Sequence, residues 1–576
     1  MAYSQLYVSP TGYVFAKNTV LFVNQDVNLD SGGKVYLRNE AQLLQGTTTT
    51  LTANKGLGVL SVFQEGTSNN YGYNYWCSPI GLPSNAAANQ NFGTALLGSP
   101  TSITATSMNI PVAGDLNGTA TPFHVASRWI HTFQSATGDN YSQWNYINTA
   151  STIAPGLGFT MKGVAGADAT DPGEGTPNNS GIGVGQRYDF RGKPNDGDIQ
   201  ILVNPSPNRT LTGNPYPSAI DTQAFLNAAT NTTKVAYYWE HDDTVLSHVL
   251  ANYRGGYATY TAAGMYMPAV YSTYDGAGNV INASFSSPGN IFARRYAPIG
   301  QGFMIQGLGA GGTVFMKNSF RTFQKESGGS STFHRNNNNS SILTTQNTET
   351  VPQIRFKAML NNLSVRTLAT GFFIDATDGV DIGKEANFPD SGTPIDCYFV
   401  IDNNEYIISA INYNENKRIP IGFRSNTTAS IKFKVDEMVH FTDAQNVFLF
   451  DSVTGLYHDI KNAIYEFSVP IGIINSRYEI TFKNSNLLAI QNNTIENFIV
   501  SQNNVSQQLI VSNKNLIDLK SISLFDVTGK LIFDNSNLGN KSIYEFPTSS
   551  LSEGVYIVKV VSNNNDNFSQ KVIVKK

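Results

Sequence analysis

The chain has 576 residues and a formal net charge of −4, with 14 % charged and 11 % aromatic residues. Such a balance, without a basic stripe, excludes a nucleic-acid partner held through phosphate contacts, and no Lys/Arg-rich amphipathic run offers itself to a membrane surface. With 50 Gly, 28 Tyr and 33 Phe, the composition suits many short strands joined by tight turns, spread over several domains. Cys77 and Cys397 are too few for a disulfide framework and are expected as small buried hydrophobes. No apolar run is long enough for a transmembrane helix. Met1-Ala2-Tyr3-Ser4 lacks the charged and apolar regions of a signal peptide, so a start near a mature N-terminus is expected.

Residues 1–59 read as short alternating runs (LYVSP, YVFAKN, TVLFVNQDVNLD, KVYLRN) separated by Asn, Asp or Gly, which fits a small β-solenoid or a meander. Asp30-Ser31-Gly32-Gly33 resembles a serine-protease nucleophile string but is expected as a hairpin turn. Residues 60–325 hold two copies of one plan, about 60–198 and 199–325. Tyr75-Trp76-Cys77-Ser78-Pro79 and Gly156-Leu157-Gly158-Phe159 mark the first; Gly213-Asn214-Pro215-Tyr216-Pro217 and Gly300-Gln301-Gly302-Phe303 mark the second. From Pro79 and Pro215 the glycine strands lie 77 and 85 residues downstream, so order and near-spacing are kept, as a duplication requires. Gly-x-Gly-Phe implies a strand that another backbone approaches closely. Arg187–Gly197 is expected to turn ahead of a strand at Asp198–Val203. Asp221 is a candidate N-cap for a helix burying Phe225 and Leu226. Gly307–Gly312 precedes a strand where a phosphate cradle would need a helix, and is expected as a hairpin loop.

The Asn- and Ser-rich residues 326–352 read as a linker. Residues 353–485 carry about eight short strand cues and are expected to form a jelly-roll or Ig-like β-sandwich. Asp375, Asp378 and Asp381, with Gly379, are a hard-oxygen set able to hold calcium, against a plain solvated loop. Glu240-His241-Asp242-Asp243 offers acid groups without an identifiable second carboxylate. The seven His are scattered, and no H-E-x-x-H, C-x-x-C or G-x-S-x-G occurs, so a non-enzyme is expected. Trp76, Trp129, Trp144 and Trp239 have faces suited to stacking on sugars, although large aromatics in β proteins are more often core.

Residues 486–576 close the chain. ISLFDVTGKLIFD reads as a β-hairpin turning at Thr528-Gly529, followed by strands in LSEGVYIVKV and KVIVKK, a small Ig-like β-sandwich. This order, with Gly529, Gly554, Tyr556, Lys575 and Lys576, resembles the C-terminal sorting domain of Bacteroidota proteins exported by the type IX secretion system, closer to its type C than its type A form. The string at Gly213–Ser218, with Tyr71–Pro79 and Arg187–Gly197, is similar to strings of large flavobacterial surface proteins. Asp243-Thr244-Val245 and Asp451-Ser452-Val453 resemble the O-glycosylation sequon of that phylum. The resemblance implies an all-β, multidomain protein at the cell surface or secreted. Its partners would be the type IX translocon and its outer-membrane shuttle barrel, with a role in adhesion, gliding or polysaccharide binding. The alternatives are a stable accessory subunit of the translocon and a secreted carbohydrate-active enzyme.

Overall fold

A computed structural model describes residues 5–46, 52–110, 114–134, 137–138, 141–148, 151–166, 170–177, 185–242, 244–274, 280–283, 294–331, 333, 350–388, 393–484, 498–563 and 567–576. The protein is all-β and multidomain, with many β-sheets and, among the described residues, one short α-helix. It divides into two compact units, Met1–Lys483 and Asn484–Lys576. No helix among the described residues is long and apolar enough to cross a membrane.

The first unit begins with a parallel solenoid. Leu6–Val8 pairs with Val27–Leu29, Tyr13–Lys17 with Lys34–Arg38, and Val20–Val23 with Gln42–Gln45, each in parallel and 21 or 22 residues apart. Of the two architectures open in the sequence, the meander is therefore not the one formed. Asp30-Ser31-Gly32-Gly33 is not a hairpin turn: the strands on either side lie in different sheets, and the glycines turn a corner of the coil. Gly32 has φ +90°, and a Cβ there would meet the Pro10 carbonyl oxygen at 2.5 Å. Val59–Gly66 continues the stack beside Lys34–Arg38 and pairs on its other side with Gln186–Pro194. That last strand occupies most of the stretch expected as a turn, because Tyr188 and Phe190 are core side chains.

The two copies share one register. In the first, Tyr73–Trp76 runs antiparallel to Phe159–Lys162 with Trp76 opposite Phe159. In the second, Arg209–Gly213 runs antiparallel to Gly302–Gly307 with Thr212 opposite Phe303. Measured from the paired prolines and glycines these are equivalent positions. The contacts between copies are reciprocal as well: Gly158 N donates to Leu211 O at 2.9 Å and Cys77 N to Gly300 O at 2.8 Å. The leading glycines, Gly156 and Gly300, have φ +80° and +76°, a conformation that favours Gly. Asp221 caps the helix Thr222–Ala228 by accepting from Ala224 N, and Phe225 and Leu226 are fully buried. Gly307–Gly312 is not a hairpin, since Gly302–Gly307 and Gly312–Met316 pair with different strands in separate sheets.

Residues 353–481 form one sheet where a sandwich of two is expected. Eleven strands join into a near-closed, barrel-like sheet, made continuous by the parallel pairing of Ser364–Phe372 with Asn404–Ile411. Its end strands meet where His458 stacks on Tyr465 with ring centroids 3.6 Å apart. One core cluster runs from Ile354, Phe356 and Phe433 into Tyr75, Phe133, Tyr237 and Met304 of the duplicated module, which explains why residues up to 483 form a single unit. Of the expected linker 326–352, residues 332 and 334–349 lie outside the described residues; Phe333 is fully buried against Trp76.

In the second unit, the strands Leu519–Asp526 and Leu531–Gly539 form a hairpin, with Gly529 at φ +83° and Asp526 Oδ1 accepting from Thr528 N and Lys530 N. They join Gly554–Ser562 and Asn567–Val574 in a four-stranded sheet, which shares one core with the three-stranded sheet that starts at Phe498–Asn503.

Candidate functional site

The four tryptophans separate into two roles. Trp76 is wholly inside, packed on Tyr188, Phe190 and Phe333, so it presents no face to a ligand. Its expectation as a binding residue is corrected by burial. Trp129, Trp144 and Trp239 are half-buried and belong to one ladder of rings that crosses both copies. From Phe133 the ladder passes to Trp144 (4.9 Å between centroids), Tyr75 (5.9 Å), Trp239 (6.1 Å) and Tyr253 (6.2 Å). It continues through Tyr73 (5.7 Å) and Trp129 (6.2 Å) to His248 (5.1 Å). Tyr75, Trp239 and Tyr253 are nearly parallel, at 13° and 12°. A sugar ring sandwiched between two aromatics needs about 7–8 Å, twice a carbon contact distance, so none enters this stack. The aromatic surface open to a ligand is that of the exposed parts of the indoles.

The Trp129 end holds the polar groups. Lys162 extends from its strand under the rings, its Nζ 3.9 Å from the centre of Trp129, 4.7 Å from Tyr73 and 5.6 Å from Tyr253. Such rings attract a cation through their negative faces. Lys162 is 3 % exposed, and among the described residues no carboxylate comes within ion-pair reach of it. Desolvation therefore pulls its ammonium down to about 7. Nζ lies 3.2 Å from His248 Nδ1, and His248 Nε2 lies 2.8 Å from Asn117 Oδ1. A neutral imidazole satisfies both contacts, accepting from the lysine and donating to the amide. Burial first and the lysine charge second lower the His248 pKa, in line with that assignment. Trp129 is fixed at its own edge, Nε1 donating to Leu116 O at 2.8 Å. The arrangement offers an aromatic surface beside amide and imidazole groups, the chemistry that holds hydroxylated ligands. Lys162 went unnoticed in the sequence because lysine in a strand ordinarily points to water.

The remaining expected sites disperse. Asp375 pairs with Lys384 at 3.0 Å, Asp378 pairs with Lys417, and Asp381 accepts from Thr377 N at 2.7 Å. The three carboxylates are taken by different partners, and among the described residues no group of three or more His, Cys, Asp or Glu could hold a metal. The calcium expectation therefore has no ligand set here. Glu240 is buried in an ion pair with Arg294 at 3.0 Å, and burial pushes its carboxyl up to about 7. Asp242 lies 3.5 Å from Arg254, so each of the two carboxylates has its own arginine; Asp243 lies outside the described residues. Ser452 is exposed at the tip between Phe448–Asp451 and Leu456–Asp459. Cys77 and Cys397 are fully buried, which raises both thiol pKa values. Gly529 sits in an open turn, and Tyr556 is buried with its hydroxyl donating to Ser552 O at 2.9 Å. Gly554 opens its strand, and Lys575 and Lys576 are exposed at the terminus.

This is a β-rich chain with a ring-lined polar site and, among the described residues, no converging set of metal ligands. Residues 106–482 match a family described as "Domain of unknown function (DUF8693)", and residues 488–574 match "Domain of unknown function (DUF8694)". The first match covers more than half of the 576 residues, and the chain belongs to the DUF8693 family. No curated protein matches it. Among solved structures, a CupB2 chaperone of Pseudomonas aeruginosa is 9 % identical, over 39 % of this chain and 87 % of that one, with a TM-score of 0.11. A polysaccharide lyase is 12 % identical, over 39 % of this chain and 40 % of that one, also at 0.11. Neither likeness carries an argument.

Proposed function

We propose that this chain is a secreted or cell-surface protein, exported by a type IX secretion system through residues 486–576, whose duplicated module binds a polysaccharide without transforming it. The observation that carries the binding half is the aromatic ladder, with three half-buried indoles and the Lys162–His248–Asn117 cluster at one end. The export half rests on the sequence resemblance of the terminal residues. A separate compact unit from Asn484 onward, with its own core, suits an address that is read apart from the cargo. Its three- and four-stranded sheets suit the Ig-like sandwich expected of such a sorting domain.

The export test is detection on intact cells, with and without residues 486–576, in a type IX-competent and a secretion-null strain. Surface signal from the full chain in the competent strain alone is expected; equal signal in all four cases overturns export. The binding test is retention of the purified chain on a panel of insoluble and soluble polysaccharides. Trp129→Ala is expected to weaken retention by about tenfold or more, the loss of one stacked aromatic. A panel bound equally by the chain and this variant, or not bound at all, overturns the polysaccharide reading.

A further inference from the structure

Buried cations elsewhere in this chain meet oxygen. Arg294 pairs with Glu240, Arg321 with Asp196 and Arg366 with Asp396, each acid buried in turn. Lys193 donates to two main-chain carbonyls, Ala86 O and Ala88 O. Lys162 stands apart. Its Nζ lies among the Trp129, Tyr73 and Tyr253 rings and meets the imidazole of His248, and among the described residues no oxygen accepts from it. A buried ammonium without an opposing charge carries a desolvation cost that an anion brought to it would offset.

The groups around Lys162 complete a donor set. Asn117 Oδ1 accepts from both Asn70 Nδ2 and His248 Nε2, which leaves the amide hydrogens of this exposed residue for another acceptor. Asp115, the acid nearest to Asn117 in sequence, is turned to His124, with Oδ2 3.2 Å from Nε2. The way in lies at Asn117, with His248 and Trp129 half-buried behind it. Resting on the polysaccharide reading, we propose that the polymer bound here is anionic. The carboxylate or sulfate of one sugar residue meets the donor cluster of Asn117, His248 and Lys162, and the sugar ring lies against the exposed part of Trp129. The anion takes the amide hydrogens at the entrance, and the Lys162 charge acts on it from behind the imidazole. Between groups so far withdrawn from water, that attraction is weakly screened. A neutral sugar gains nothing from it.

The test extends the polysaccharide panel with matched pairs: polygalacturonate, alginate and carrageenan, each beside its carboxyl-reduced or desulfated form. The first two pairs report carboxylate and the third sulfate. The full chain is expected to hold at least one acidic polymer about tenfold more tightly than its neutral twin. Lys162→Gln is expected to bring that ratio close to one. Asn117→Asp, an exposed change of the same shape, places the chain's own carboxylate where the ligand's would lie and is expected to do the same or more. Equal retention of acidic polymers and their neutral twins leaves polysaccharide binding standing and overturns the anionic preference. Retention of no polymer overturns both. A preference that survives Lys162→Gln and Asn117→Asp unchanged also overturns it, because the anion would then bind elsewhere.

Discussion

The two copies of the duplicated module hold equivalent strands in one register and load them with different side chains. Where the first copy has Trp76 opposite Phe159, the second has Thr212 opposite Phe303. Trp76 fills a core with Tyr188 and Phe333, while the Thr212 hydroxyl donates to Gly156 O at 2.7 Å. Three residues before each matching Phe stands a glycine of matching conformation, Gly156 and Gly300, and three residues after it stand Lys162 and Gln306. Lys162 sits among the rings of the ladder, whereas Gln306 Nε2 donates to Pro207 O at 2.8 Å. Main-chain contacts fix the register, so the side-chain slots on that frame can differ without altering it.

Trp76→Ala tests the claim that only the first copy uses its slot as core. Truncating so large a buried ring is expected to cost about 3–5 kcal/mol. Thr212→Ala at the matching position removes one buried hydrogen bond and is expected to cost about 1 kcal/mol, leaving Gly156 O without that donor. Denaturant unfolding checks both. Similar losses at the two positions would mean that the slots are alike and the contrast is false.

The shared frame is broken at its glycines. A Cβ at Gly158 would lie 2.6 Å from Thr212 O, and one at Gly302 would lie 2.6 Å from Trp76 N. In each case the obstacle is backbone of the other copy, so Gly158→Ala and Gly302→Ala are each expected to cost about 1–3 kcal/mol, and by similar amounts. If one substitution is tolerated and the other is not, the reciprocity between copies does not extend to their energetics.

Much of this frame was legible in the letters. Paired Gly-x-Gly-Phe strings, the Asp221 cap and the turn at Thr528-Gly529 are local signals, and the local structure follows them. What stayed hidden depends on partners distant in sequence. The alternation of Tyr13–Lys17 serves a solenoid coil and a meander equally well; the parallel pairing with Lys34–Arg38 decides between them, and no local residue encodes it. Likewise the glycines at 32 and 33 and those at 307–312 announce turns without saying that the flanking strands leave for different sheets. Trp76 and Trp129 are equally aromatic on paper, and only packing makes one core and the other half-exposed. The three aspartates of 375–381 are close in sequence, yet Lys384 and Lys417 draw two of them to separate partners.

The finest difference between the copies is one of charge, at Lys162 and Gln306. Lys162 has an ordinary value of 10.5 and is drawn to about 7 in the folded chain by desolvation. Below about 7 both folded and unfolded lysines are protonated, and above about 10.5 neither is. Between those limits the unfolded chain binds more protons, so folding stability rises with pH, by at most about 1.4 kcal/mol per pH unit. Lys162→Gln, which writes the second copy's residue into the first, is expected to remove this lysine's part of the rise, while Lys193, drawn by burial to about 8, contributes equally in both chains. His248 has its pKa lowered from 6.5, so its own contribution falls at more acid pH, and the raised pKa of Tyr75 acts above its ordinary 10.0. Unfolding midpoints of the natural chain and the variant, compared from about pH 7.5 to 9.5, therefore isolate the lysine. Curves that diverge with pH place the ammonium in the dry ring site; parallel curves would mean that Lys162 keeps its ordinary proton and reaches water, and the two copies would then differ in shape but not in charge.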